Sequence, residues 1–392
     1  MRLAAAVGSL LLIFLVLRYS AVNALLQIGP DFAAALSPGH PAVVLDGAFD
    51  ELQRTGDARP QTERAALEAF RRAPLSEVPL LIGARKALAR GDEAAGDRLI
   101  AAASRRNPRS RYALLLQLDQ QVRQGRAADA AATMALLTRS FPDTTQLLTA
   151  ELARMAANPD TRDAVRRVMA GDPPLREAVL EQLARQGTDA ATVLALAGPV
   201  RPTMAAAPAW QQVLVDAMVD RGQAAQALEV WLRLTGADRA HRAGGVYDRD
   251  FAGLPGPPPF NWILETSGDG FAERRGNALQ AEFYGRGDAR LASQLVVLNP
   301  GEYRLGFMVE GEAESESGGL FWTVACHPGD RVLAEIPITG VGRTAKRVSG
   351  AFTVPARGCP GQWLRLVGRA VEFPDDQQVT IRQLRIEGAG LR

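Results

Sequence analysis

Cysteine occurs twice in the 392 residues, histidine three times and lysine only at Lys86 and Lys346. Two cysteines, Cys326 and Cys359, exclude a disulfide-dense scaffold, and without suitably spaced histidines they make a poor zinc site. His40, His241 and His327 fall in a loop, a linker and a turn, at spacings that suit neither a metal nor a catalytic triad. A Gly-rich phosphate loop and a nucleophile elbow are also missing, so the chain reads as non-enzymatic, with no cofactor and no metal. Charge of one sign is lacking too: 45 basic residues face 43 acidic ones, which leaves no electrostatic footprint for nucleic acid. Arginine supplies nearly all the positive charge, and we read this as the codon usage of a GC-rich genome. Aromatics are scarce for the first 250 residues; 13 of the 23 lie beyond Asp250. A composition that shifts so far along one chain implies at least two domains, as does its length.

What is present begins with an uncharged run, Leu3 to Leu17, followed by Arg18, Tyr19 and a mostly apolar stretch to Ile28. Residues 1–28 are expected to be a membrane anchor, with Arg18 and Tyr19 at the interface, or a signal peptide cleaved near Ala24 after the small-residue pattern Val22-Asn23-Ala24. Either reading exports the rest, to a periplasmic site on the inner membrane or to the soluble periplasm; a cytoplasmic protein with an unusual N-terminus is the remaining alternative.

Residues 29–242 carry a helical pattern, with apolar side chains at three- and four-residue spacing and alanine where helices would approach closely. Gly91 and Gly125 lie 34 residues apart, as do Pro108 and Pro142, Ala94 and Ala128, Ala101 and Ala135, and Arg105 and Arg139. Thirty-four is the tetratricopeptide period, in which the glycine occupies the turn inside a helical hairpin. Gly187 and Gly222, 35 apart, continue it less regularly. The alternative is an Ala-rich bundle with a chance coincidence of spacing.

Residues 243–258 form a Pro/Gly-rich linker, because the run Pro255–Pro259 cannot continue a helix. Residues 259–392 then switch to period two. In "GEYRLGFMVEGE", Tyr303, Leu305, Phe307 and Val309 alternate with Glu302, Arg304, Met308 and Glu310. Asn299-Pro300-Gly301 supplies a turn before it, and in "VTIRQLRIEG" the apolar face moves from Val379 and Ile381 to Leu384 and Ile386, which predicts a bulge. The fold class is α then β: a membrane helix, helical repeats and an antiparallel β-sandwich. Cys326 and Cys359, both at strand edges of one exported domain, are expected to pair, the alternatives being two buried thiols or a metal site. Glu310, Glu312, Glu314 and Glu316 would share one face if extended, as a conceivable cation or paired-carboxylate site, or simply as a solvated hairpin tip.

"VYDRDFAG", "FNW", "SQLVVLNPGEYRLGFMVEGE" and "VTIRQLRIEG" resemble the galactose-binding-like jelly rolls found among carbohydrate-binding modules. The whole order, through "LSPGHPA", "APLSEVPLLIGARKALARGDEAAGDRL" and "RRNPRSRYA", is similar to exported tetratricopeptide-like proteins of alphaproteobacteria that end in such a jelly roll. The resemblance implies an envelope scaffold in cell-surface polysaccharide biosynthesis or export, with polysaccharide-assembly proteins, the inner membrane and polysaccharide as partners. A glycan-binding protein is the alternative reading, with a carbohydrate-active enzyme behind it. Trp262, Phe271 and Trp322 are the aromatics expected to stack on sugar if the sandwich binds one, the alternative for each being core packing, to which Trp322 is drawn by the strand face it shares with Leu320 and Val324. Such modules commonly hold a structural calcium through a Glu after an early Phe and an Asp in the final strand. Here Ala252 and Gln383 occupy those places, which puts the calcium in doubt.

Overall fold

A computed structural model describes residues 16–18, 20–22, 24–25, 29–200, 208–238, 245–313, 319–371 and 376–388. The expected anchor or signal segment lies mostly outside them, and among the described residues no helix is long and apolar enough to cross a membrane. The chain divides into two compact units, 1–171 and 172–392, so the boundary expected near residue 242 falls inside the second.

The first unit is helical. Two of its hairpins pair Val78–Ala89 with Glu93–Arg106 and Arg111–Arg123 with Ala127–Ser140. Asp92 and Ser110 cap helix starts by accepting from the backbone N–H groups of Ala95 and Ala113. The helices touch through alanine and glycine: Ala84, Ala103 and Ala113 are fully buried. A Cβ on Gly96 would lie 2.4 Å from Leu88 Cδ2, so any larger residue there displaces the Leu88 side chain.

The second unit opens with helices Pro173–Arg185, Ala190–Ala197, Ala209–Asp220 and Ala224–Thr235. Gly91, Gly125, Gly187 and Gly222 all have φ between 66° and 79°. At each, the glycine N–H and the next residue's N–H return to the helix that has just ended, for example Gly222 to Val219 and Gln223 to Met218. This is the Schellman termination, which a side chain with a Cβ adopts only under strain. The repeat spacing in the sequence therefore corresponds to one recurring backbone turn.

Eleven strands follow among the described residues: β1 (Ile263–Leu264), β2 (Thr266–Ser267), β3 (Gly270–Arg274), β4 (Leu279–Phe283), β5 (Ala289–Val296), β6 (Gly301–Glu312), β7 (Leu320–His327), β8 (Val332–Pro337), β9 (Lys346–Val354), β10 (Gly361–Gly368) and β11 (Gln377–Gly388). They form a five-stranded sheet, β1-β5-β10-β7-β8, and a six-stranded sheet, β2-β3-β4-β11-β6-β9, each pairing antiparallel. The two inner faces meet in one apolar core that includes Phe283, Leu305, Phe307, Val309, Trp322, Val324, Leu364, Ile381 and Ile386. The antiparallel two-sheet sandwich expected from the period-two pattern is present, as is the bridge between Cys326 and Cys359.

The proline run packs closely instead of spanning open solvent. The run belongs to no helix or strand, and its carbonyls accept instead from the Trp231 indole at Pro257, the Tyr247 hydroxyl at Pro255 and the Leu295 N–H at Pro259. Asn261 adds bonds to the carbonyls of Leu254 and Gly256. The hairpin 209–235 also covers one end of the five-stranded sheet. There His327 Nε2 lies 3.0 Å from the Val219 carbonyl, and Gly361 leaves room for Ala224, whose Cβ would be 2.9 Å from an added one.

Candidate ligand face of the sandwich

The central rows of the six-stranded sheet are set by alternation on β6. Leu305, Phe307 and Val309 are buried, which turns Arg304, Gly306, Met308 and Glu310 to the outer face. Pairing brings Ala351, Ser349 and Arg347 of β9 beside Arg304, Gly306 and Met308. On the other side, Arg382, Arg385 and Glu387 of β11 sit beside Met308, Gly306 and Arg304.

Arg385 reaches this face only because β11 carries the expected bulge. The register shifts between Arg382 and Arg385, with Gln383 at φ 53°. Strict alternation from buried Ile381 would turn residue 385 inward. The extra residue buries Leu384 and Ile386 instead, and turns Arg382, Arg385 and Glu387 outward.

Because Gly306 has no side chain, these residues surround a hollow of about 110 Å³ lined by Arg304, Arg347, Ser349, Gln383, Arg385 and Glu387. Among the described residues Arg304, Arg347 and Arg385 form no ion pair, and only Arg304 has a polar side-chain contact, 3.5 Å to Ser349 Oγ. Arg382 differs, being 2.6 Å from Glu310. Three guanidinium groups outside any ion pair, a hydroxyl and an amide thus face one carboxylate across an open polar depression.

The outer face of the five-stranded sheet is arranged differently. Arg365 pairs with Asp330 at 3.0 Å, Arg369 with Glu335 and Arg290 with Glu265. Two half-buried aromatics of that face, Trp363 and Phe321, lie under the guanidinium groups of Arg365 and Arg369. Sequence reasoning did not single out either aromatic.

The stacking aromatics are corrected by their burial. Trp322 is 0% exposed and Trp262 5%, with ring centroids 5.8 Å apart, and Phe251 packs on Trp262 at 5.0 Å. The Trp262 indole N–H is used up on the Asp248 carbonyl. Neither ring can offer a face to a sugar, because both fill the space between the sheets. Phe271 alone of the three lies on the outer face, half-buried beside Glu282 at the β3–β4 edge of the six-stranded sheet.

Glu310 and Glu312 are engaged by Arg382 and Arg343, and Glu314 and Glu316 lie outside the described residues. His40 caps the helix Pro41–Thr55, accepting from the Ala42 N–H, and His241 lies outside the described residues. Among the described residues no group of three or more His, Cys, Asp or Glu side chains could hold a metal ion.

At the early loop where the resemblance implies calcium, Asp248 accepts from the N–H groups of Ala252 and Gly253 and pairs with Arg274 at 3.3 Å. The Asp248 side chain is 1% exposed, so a guanidinium balances this buried carboxylate. Burial pushes the Asp248 carboxyl above its usual range, against the pull of Arg274 and of backbone N–H groups. The native state therefore holds this proton more tightly than the unfolded chain, and the group's contribution to stability falls as pH rises out of the ordinary carboxylate range. Arg274→Met removes the nearest compensation. We expect a loss of about 2–3 kcal/mol at neutral pH, below the full cost of breaking a buried pair because Arg274 is partly exposed. The loss should shrink in acid. Urea unfolding at pH 4.5 and 7.5 checks this, and an equal loss at both would contradict it.

No protein-family model matches the chain, and no curated protein matches it. Among solved structures, the chain is similar to one described as "CBM4 structure and function", at 9% identity and TM-score 0.27 over 33% of this chain and 88% of that one. It is similar to the CBM22-1 xylan-binding domain from Paenibacillus barcinonensis Xyn10C, at 14% identity and TM-score 0.25 over 34% and 88%. A third is TmCBM61 in complex with β-1,4-galactotriose, at 17% identity and TM-score 0.23 over 32% and 88%. At these scores the likenesses decide neither ligand nor activity, which rest on the side chains described above.

Proposed function

We propose that this chain is a non-enzymatic envelope scaffold in cell-surface polysaccharide biosynthesis or export, whose sandwich binds polysaccharide on the outer face of the six-stranded sheet. The observation that carries the binding reading is the Gly306 hollow. Its hydroxyl, amide and guanidinium groups are free of ion pairs, whereas the opposite face pairs its arginines and is partly covered by helices. A sugar presents many hydroxyls and needs such unengaged donors and acceptors.

The two pairs of glycine turns, one 34 and the other 35 residues apart, support tetratricopeptide-like repeats, which would hold partner proteins of the assembly machinery. The disulfide supports export, because such bridges persist in oxidising compartments. On this reading residues 1–28 anchor the protein in the inner membrane or are cleaved.

Gly306→Val tests the binding face. A Cβ at Gly306 meets nothing closer than Ser349 Cβ at 3.8 Å, and valine suits a strand, so the fold should hold while the branches fill the hollow. The full chain should be retarded in gels containing the surface polysaccharide of the cell that makes it. The variant should bind about tenfold more weakly or worse, at unchanged melting temperature. Equal retardation of both would move the ligand off this face. No retardation of the wild type would leave the scaffold reading without its glycan.

A further inference from the structure

We infer that the sugar taken at this face is acidic, its carboxylate held by Arg304, Arg347 and Arg385. This rests on the polysaccharide reading of the same hollow and adds the chemistry of the ligand.

Among the arginines on strands of the sandwich, Arg274, Arg290, Arg365 and Arg382 are paired with carboxylates, and the other described arginines without an ion pair in this domain, Arg275, Arg286, Arg331 and Arg357, stand in turns and loops. The three around Gly306 stand on strands and form no ion pair among the described residues, although 43 acidic residues are available in the chain. Three like charges close together with Glu387 alone beside them cost stability through mutual repulsion, and that cost is relieved when an anion enters. Guanidinium groups are planar forks suited to two-point contact with a carboxylate.

Their positions are fixed by backbone. Arg385 is placed by the bulge directly beside Gly306, Arg304 precedes Gly306 by two residues on β6, and Arg347 sits opposite Met308 on β9. Adjacent strands are about 4.8 Å apart and alternate residues about 6.8 Å, so all three can converge on one group above Gly306. Glu387 is the single acidic residue lining the hollow. It opposes a second negative charge on the ligand, which favours a singly charged carboxylate over a phosphate dianion. Ser349 and Gln383 remain for neighbouring hydroxyls.

Gel retardation of the full chain in polygalacturonate, alginate and hyaluronate tests this, with carboxyl-reduced forms of the same polymers and with dextran sulfate. At least one polyuronate should bind. Carboxyl reduction and about 1 M salt should abolish the retardation, since screening at that strength acts within about 3 Å. Arg385→Gln and Arg347→Gln should each weaken binding about tenfold or more, the usual scale for a charged hydrogen bond. Glu387→Gln should strengthen it. All three residues are exposed, so their variants should fold.

Binding of the cell's own polysaccharide that survives carboxyl reduction would overturn the acidic-sugar inference and leave the polysaccharide reading standing. Dextran sulfate bound as tightly as any polyuronate, with the same response to each variant, would reduce the site to unspecific attraction of polyanions and overturn the inference. Retardation by none of the polymers, the cell's own included, would remove both.

Discussion

Replacing Trp322 by alanine is expected to destabilise the second unit by about 3–5 kcal/mol, the range for deleting a large aromatic from a closed core. The ring is 0% exposed and touches Trp262 and Phe307 edge-on, at centroid distances of 5.8 and 6.3 Å. It stands on β7 where the inner faces of both sheets meet, so little can collapse into the space it leaves. A loss of that size is a large part of the 5–15 kcal/mol that typically separates folded from unfolded chains. Trp322→Phe should cost much less, because the indole N–H has no hydrogen-bond partner among the described residues and its removal forfeits none of theirs. Trp262→Ala should behave like Trp322→Ala, with the further loss of the bond to the Asp248 carbonyl. Chemical denaturation followed by near-ultraviolet circular dichroism checks these values. A Trp322→Ala protein that kept full stability and lost only polysaccharide binding would contradict the core assignment.

Removing the disulfide is expected to cost about 3.5–4 kcal/mol in the chain-entropy treatment of a loop of this length. The cysteines are 33 positions apart in sequence, and the bridge ties the end of β7 to the segment entering β10. Both side chains are buried. The neighbouring Gly361 and His327 carry the contacts with the helical hairpin 209–235, so a Cys326→Ser/Cys359→Ser protein should also loosen that hairpin. Thermal unfolding of the double variant measures the loss. Mass spectrometry of wild-type protein taken from its native compartment, alkylated before and after reduction, tests the bond and the proposed export together. No alkyl groups before reduction and two after are expected, and two on unreduced protein would contradict both.

Features governed by near neighbours in the chain were legible before any coordinates. Each repeat glycine answers a local need for positive φ at a helix end, and the offset from Ile381 to Leu384 announced the bulge that the backbone shows at Gln383. The shared face of Leu320, Trp322 and Val324 already pointed to packing. Trp262 was harder, because its burial depends on a carbonyl 14 residues earlier and on rings from other strands. The arginine site was illegible for a related reason. Arg304, Arg347 and Arg385 come from three strands, and neither strand order nor register is written in any one segment. The proline run read as a spacer because its composition reveals nothing of the Trp231 and Asn261 donors that fasten its carbonyls.

The most direct measurement is arginine footprinting with phenylglyoxal on the full chain, with and without the bound polysaccharide, read residue by residue by mass spectrometry. The account predicts protection of Arg304, Arg347 and Arg385, while Arg365 and Arg369 on the five-stranded sheet react as before. Protection confined to Arg365 and Arg369, or unchanged reactivity of the three under saturating ligand, would contradict it.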